Sequence, residues 1–388
     1  MNFSLVVPTF NRHELLRHTL ESLRRQTWTD FEVLVLDDGS QPPVQSIVNE
    51  LGDSRFRVRR YEDNRHPADI LEDSLDEIRG EYFICVEDDN GLVPSALERA
   101  AAVLKRQPQI EILGNNFLHY NHSTGEGRQA QGRGFTGELR SEPAQDVLWR
   151  FCSLWGIGPI CRGPEPAHFS ATFYSMRLMR RAKERFGRVF VKPLGDVSLL
   201  ALLGLTEEVW YLDLPLAYIG EHEGQITNAG MPGQRQRLSK SVWLRGFQFR
   251  YSPLRGLSYV NVAVDCHLAA VHRLGWQKDP RARLRRSFFL GHLQSVMSDS
   301  PWTAETWRDF FEVLPHLFTP QAIAEMMGFR LRQVLKLLLK PGAVFRNRLG
   351  SGAAASTPEP RFPGFANCVE FAEWMEKNQM PREAAQRL

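Results

Sequence analysis

Long apolar runs are missing from this sequence. Its 388 residues hold no unbroken stretch of about 18 apolar side chains, which argues against a membrane-spanning helix. Cysteine is scarce. Cys85, Cys152, Cys161, Cys266 and Cys368 are scattered, odd in number and without a Cys-x-x-Cys pair, which leaves a zinc site or a disulfide framework unsupported. Reduced thiols in a cytoplasmic protein fit best. The first residues lack a basic segment, a long apolar stretch and a cleavage site. Phe3-Ser-Leu-Val-Val7 reads directly as a strand, so a signal peptide is not expected. No internal repeat occurs, and no RNA- or DNA-binding motif, so no nucleic-acid partner is expected. A large charge excess is absent as well, since the net charge is +3. It is unevenly spread: residues 1–230 carry 25 Lys+Arg against 33 Asp+Glu, and residues 231–350 carry 19 against 7. An acidic first part and a basic second part suggest different tasks.

What is present is an acidic strand end. In Glu81-Tyr-Phe-Ile-Cys-Val-Glu87-Asp88-Asp89-Asn90, a strand-forming run leads into three consecutive carboxylates. Like charges this close repel and raise each other's pKa, so such a cluster calls for a cation. Hard oxygen ligands suit Mg²⁺ or Mn²⁺, and those ions suit phosphate. The carboxyl end of a strand is also where open α/β sheets place their ligands.

The first hundred residues alternate strand and helix signals. Strands are expected at Ser4–Val7, ended by Pro8-Thr9, and at 31–36, 56–61 and 82–86. Helices are expected after Asn11, with Leu15, Leu16, Leu20 and Leu23 at helical spacing, and at 68–79 and 94–107. Strands separated by helices imply parallel βαβ units. Further on, 122–142 and 224–237 read as loops rich in Gly, Gln and Arg. Residues 168–176 and 210–218 read as strands, and 178–186 and 196–205 as helices. From about Leu238 the pattern is helical, with Ser300-Pro301 and Thr319-Pro320 as start signals and Gly328 as a stop. Residues 350–364 read as a linker before a last helix, Cys368–Asn378.

Three turns carry unusual chemistry: Val7-Pro8-Thr9-Phe10-Asn11-Arg12, Asp37-Asp38-Gly39-Ser40 and Glu87-Asp88-Asp89. Each alone is an ordinary turn. At successive parallel strand ends they would meet along one edge. This series, with Pro94 and Leu97 after the acidic cluster, resembles glycosyltransferase family 2 over residues 3–100, and more weakly to about 225. The resemblance implies an α/β fold of the GT-A type, a Rossmann-like, mostly parallel sheet flanked by helices, spanning 1–228. A basic, mainly helical region at 229–350 and a linker with a short helix at 351–388 would follow. It implies that Pro8, Thr9, Asn11 and Arg12 line the nucleotide pocket, that Asp38 reads a uracil-type base and that Asp88 faces the ribose or sugar. Asp89 would ligate Mg²⁺ or Mn²⁺, with Glu87 at the first position of the DxD-type signature and His222 approaching the metal or diphosphate. Many members carry an Ala-Arg-Asn stretch where this chain has Ile70-Leu71-Glu72, and Arg65 is the nearby cation for a phosphate or base.

Inverting transfer needs a base for the acceptor hydroxyl. Asp196, in Gly195-Asp-Val-Ser-Leu199, matches the family's base position; an Asp there also suits a helix cap. Trp155, His168 and Phe169 are candidates for the acceptor side, with core packing the plainer alternative. The Gln-x-x-Arg-Trp motif of processive members is absent, so transfer of one sugar is expected, from a UDP-linked donor to a glycan or lipid-linked acceptor. Residues 281–340 interleave Arg and Lys with Leu. A homodimer interface, a solvated basic face or peripheral contact with an anionic membrane each fit that pattern. Two other functions compete: a nucleotidyltransferase, which would carry a Gly-rich basic loop after the first strand where this chain has Pro-Thr-Phe-Asn-Arg, and a non-catalytic nucleotide- or glycan-binding protein.

Overall fold

The computed structural model describes residues 1–129, 135–153, 169–192, 195–222, 244, 247–275, 289, 292–293, 296–297, 303–317 and 360–381; for 149–153, 195–197, 259–260 and 317 it describes the backbone alone. The strands are β1 (Phe3–Thr9), β2 (Phe31–Asp37), β3 (Phe56–Arg60), β4 (Tyr82–Cys85), β5 (Gly91–Leu92), β6 (Ile112–Asn121), β7 (Glu126–Arg128), β8 (Leu139–Pro143), β9 (Phe173–Ser175), β10 (Glu208–Glu221) and β11 (Arg361–Phe362). The helices are α1 (His13–Arg24), α2 (Gln45–Leu51), α3 (Pro67–Ser74), α4 (Ala96–Arg106), α5 (Ala144–Ser153), α6 (Met176–Phe186), α7 (Gly195–Leu203), α8 (Tyr259–Arg273), α9 (Ala304–Leu317) and α10 (Cys368–Asn378).

The order β3-β2-β1-β4 is parallel throughout, with Phe3 opposite both Phe31 and Tyr82. Helices cover both faces of these strands, which is why they read as continuous apolar runs. Beyond β4 the sheet is mixed. β9 runs antiparallel to β4 and β6, β7 antiparallel to β6, and β5 and β8 antiparallel to β10; β10 itself lies parallel to β6. The all-parallel pattern therefore ends at β4, with β6–β10 the one named parallel pair beyond it among the described strands. The turn from Asn121 to Glu126 is too short for a crossover, so β6 and β7 can only form a hairpin.

Pro8 does not end β1. It stays in register with Leu36, and β1 runs on to Thr9. Val6 accepts from Val86 N on the β4 side, and Thr9 accepts from Asp38 N on the β2 side. By alternation Pro8 faces β4, just past the last β1–β4 pair, so its missing N–H breaks no ladder bond.

Side chains on alternate positions build two cores. Phe3, Leu5 and Val7 face Leu16, Leu20 and Leu23 of α1 and Leu97, Ala100 and Leu104 of α4. Val6, Leu34 and Phe83 face the other layer, with α3, α5, α6, α7 and α8. The helix at 67–74 is shorter than its spacing predicts: Pro67 opens it, and His66 Nδ1 caps it by accepting from Ala68 N at 3.0 Å. α6 starts at the Ser175 cap and ends at Gly187, which takes the left-handed conformation at φ 75°.

α10 has the expected bounds, but it is no appendage. Cys368, Phe371, Ala372 and Met375 are buried in the same core as β1 and α1, and β11 pairs with β7. Ser95 Oγ donates to Glu376 Oε2 at 2.7 Å, and Tyr218 Oη to Cys368 Sγ at 3.1 Å. α8 and α9 share a small third core of Leu254, Val264, Leu268, Phe289 and Val313. Among the described residues no helix is long and apolar enough to cross a membrane. Trp155, His168, loop 224–237, Arg281–Arg286, Ser300-Pro301, Thr319-Pro320, Gly328 and the basic stretch 329–340 lie outside the described residues.

Candidate active site

The three chemically unusual turns meet at the carboxyl edge of β1, β2 and β4. The joints between them are hydrogen bonds. Thr9 Oγ1 donates to Asp88 Oδ2 at 2.8 Å, Asp38 N to Thr9 O at 3.0 Å, and Asn11 N to Ser40 Oγ at 3.0 Å. Gln41 N donates back to Asn11 Oδ1 at 2.8 Å. Asn11 sits at φ 55°, a left-handed position that Asn tolerates better than most residues. The first two turns are thus one unit, and Pro8 and Arg12 line its edge.

Asp88 and Asp89 are both buried. Arg12 Nη1 donates to Asp88 Oδ1 at 2.9 Å and lies 3.7 Å from Asp89 Oδ2. Burial pushes the Asp88 carboxyl up to about 6, with Asp89's charge adding to the rise and Arg12 opposing it. Burial alone would raise Asp89 too. The hydrogen bond from His222, with the charge of Arg12, outweighs it and holds this carboxyl below the usual range. His222 Nε2 stands 3.2 Å from Asp89 Oδ2. Asp89 is therefore kept as an anion between a guanidinium and an imidazole, while Asp88 anchors Thr9 and Arg12.

The carboxylate of Asp89 and the imidazole of His222 form a donor pair that suits Mn²⁺ or Mg²⁺. Among the described residues no group of three or more His, Cys, Asp or Glu side chains gathers to hold a metal. Asp89 and His222 are the residues that could hold a divalent ion at this corner. Glu87 Oε2 accepts from Asn90 Nδ2 at 3.0 Å and so braces the turn.

Asp38 lies in the neighbouring recess, 3% exposed. Its Oδ2 accepts from Asn64 Nδ2 and its Oδ1 from Arg65 N, both at 2.9 Å. Gly39, at φ 86°, lets the Asp-Gly-Ser turn run against the 62–64 backbone, where an added Cβ would sit 3.2 Å from Asn64 N. Behind it Asp37, fully buried, is held by Ser40 N at 2.9 Å, Val44 N at 3.2 Å and Arg60 Nη1 at 2.5 Å. Arg65 contributes to the recess through its backbone. Its guanidinium instead reaches Asp73 Oδ2 at 2.8 Å and lies over the Tyr61 ring.

Asp196 is the second residue of α7, and its side chain lies outside the described residues. The strap before α7 is described. Glu72 Oε2 accepts from Val189 N and Phe190 N, each at 2.8 Å, and Val191 N donates to Ser198 Oγ at 3.1 Å. Glu72, which stands where the Ala-Arg-Asn stretch was expected, thus anchors the approach to α7. Phe169 is a core residue, packed against Tyr174 and Phe190. Motif reading passes over Thr19, His122 and Gly220, all of which touch the acidic turn.

Residues 4–158 match the family model described as Glycosyl transferase family 2. The GalNAc(5)-diNAcBac-PP-undecaprenol beta-1,3-glucosyltransferase of Campylobacter jejuni is 32% identical over 97 residues, covering 24% of this chain and 31% of that protein. The poly(ribitol-phosphate) beta-N-acetylglucosaminyltransferase TarS of Staphylococcus aureus is 32% identical over 108 residues, 27% of this chain and 19% of its own length. The match thus spans less than a third of either relative. Among solved structures, S. aureus TarS 1-349 in complex with UDP-GlcNAc superposes with a TM-score of 0.50 at 14% identity, covering 81% of this chain and 80% of that one. That likeness is one of fold.

Proposed function

We propose that this chain, whose residues 4–158 match the family model described as Glycosyl transferase family 2, is a glycosyltransferase of that family with a GT-A fold, and that it moves one sugar from a UDP-linked donor to an acceptor hydroxyl with inversion. The observation that carries the reading is the convergence of Thr9, Arg12, Asp88, Asp89 and His222 at one sheet edge, joined to the Asp38–Asn64 recess. Asp38 accepts from a base N–H. Arg12 faces the diphosphate. Asp89 and His222 would hold Mg²⁺ or Mn²⁺, which when bound supplies positive charge to the leaving diphosphate. Asp196 takes the proton of the acceptor hydroxyl as its oxygen bonds the anomeric carbon and the bond to the diphosphate breaks.

For the acceptor we favour a glycan or a lipid-linked saccharide. The Campylobacter relative is named for a PP-undecaprenol-linked chain and TarS for a poly(ribitol-phosphate). The excess of Lys and Arg over residues 231–350 suits an anionic acceptor or a peripheral position on the inner face of the cell membrane, and also leaves room for a homodimer.

A panel of nucleotide sugars, screened by thermal shift with and without Mn²⁺, tests the donor class. UDP-sugars should stabilise the protein, more strongly with the metal. Asp196→Asn should keep that shift and lose transfer to acceptor. A wild-type protein that binds UDP-sugars but never hydrolyses or transfers them would be a binding module and not an enzyme.

A further inference from the structure

Asp89 is gripped twice, once at its carboxylate and once at its backbone. The turn that bears it presents three consecutive carbonyls, and side chains from outside the turn lie within hydrogen-bonding distance of all three. The Thr19 hydroxyl, on α1, lies 2.9 Å from Asp88 O and 2.7 Å from Asn90 O. His122 Nε2 meets Asp89 O at 2.8 Å. A carbonyl only accepts, so this nitrogen carries the hydrogen. The ring of His122 stands edge-on to Tyr120, with centroids 5.1 Å apart. On the far side Gly220 N donates to Asn90 Oδ1 at 2.9 Å. A Cβ on Gly220 would fall 2.0 Å from Asp89 O and 2.6 Å from His122 Nε2, so the glycine makes the space in which the two meet.

The sheet register explains why two histidines reach one residue. β6 and β10 run parallel with Tyr120 opposite Gly220 and Asn121 opposite Glu221, and His122 N donates to Glu221 O at 2.9 Å. His122 and His222 therefore leave the sheet side by side. His222 goes to the carboxylate of Asp89 and His122 to its carbonyl.

We propose that His122 is a positioning residue for the cation of the donor complex. By fixing the Asp89 carbonyl it sets the direction of the carboxylate, so that Asp89 and His222 present a preformed pair. This rests on the reading given under the proposed function. Partners that orient a ligand from behind typically change metal affinity by roughly 10–100-fold when removed.

The test uses the full chain and measures Mn²⁺ binding in the presence of UDP by the loss of the free-ion EPR signal. His122→Leu keeps the bulk and removes the donor. His122→Gln carries its amide nitrogen the same number of bonds from Cβ as His carries Nε2. Mn²⁺ should bind His122→Leu about tenfold more weakly, and His122→Gln should regain most of the loss. UDP binding in EDTA should be the same in all three proteins. Wild-type affinity in His122→Leu overturns the proposal. Equal weakening in Leu and Gln variants, with equal loss of melting temperature, also overturns it, since packing alone would then explain the site. A wild-type protein that binds no Mn²⁺ with UDP removes the metal reading itself, and is seen before any variant is made.

Discussion

At the residue scale, the site turns on how Arg12, Asp88, Asp89 and His222 share one corner of the sheet edge. Asp89→Ala should abolish the extra stabilisation that Mn²⁺ gives in the presence of UDP, about 2.7 kcal/mol at a ligand concentration ~100 times Kd, as read from thermal melts. Arg12 matters to stability as well as to binding. Arg12→Met leaves the buried Asp88 with Thr9 as its remaining side-chain donor at that turn. It should cost about 3 kcal/mol in urea unfolding, and Asp88→Asn in the same chain should recover part of the loss, because an unmatched buried charge is what destabilises. The three turns were legible in the sequence because each interrupts an apolar strand with groups that a core does not tolerate. Thr19 and His122 were not. They stand 69 and 33 positions from the carbonyls of Asp88 and Asp89, and neither Thr in a helix nor His after a strand is unusual locally.

At the element scale, local signals located most strands and helices, and the neighbours of those elements came from the tertiary structure. α1 shows its buried face in the Leu spacing, and α6 shows its end at Gly187, whereas its Ser175 cap falls inside the segment read as a strand. β7 and β11 were hidden, since they are only three and two residues long and carry little periodicity, whereas β9 falls within 168–176, which reads as a strand, and only its antiparallel pairing was not visible locally. α10 was visible as a helix, and its place was not. Phe371 on that helix is fully buried and stacks on Tyr120 at 5.3 Å between ring centroids. Phe371→Ala should cost about 3–5 kcal/mol in chemical denaturation, more than an exposed terminal helix could lose. Gly220→Ala acts on a different pair of elements. Its added methyl drives β10 from the acidic turn, so it should weaken Mn²⁺–UDP binding while Phe371→Ala, tested at a temperature where both variants stay folded, leaves that binding near wild type.

At the scale of the whole molecule, charge and topology divide the labour. If the basic region docks on a membrane, the protein should sediment with vesicles containing anionic lipid and stay in solution with neutral ones, and added salt should reverse the binding. Equal, negligible sedimentation with both would leave the basic residues to the acceptor or to a partner subunit. The return of the chain to the first sheet has a consequence for how the protein is made. Arg25 pairs with Glu373, and Tyr218 with Cys368, across separations of 348 and 150 residues. On the ribosome, the domain that carries the site emerges early but lacks one wall until residues 361–378 leave the exit tunnel. At a synthesis rate of about 5–20 residues per second, the half-covered sheet waits on the order of ten seconds or more. During that interval the apolar bed later covered by Phe371 and Met375 is open to chaperones, and a stalled or shortened transcript would yield a chain with its nucleotide corner written but its core unclosed.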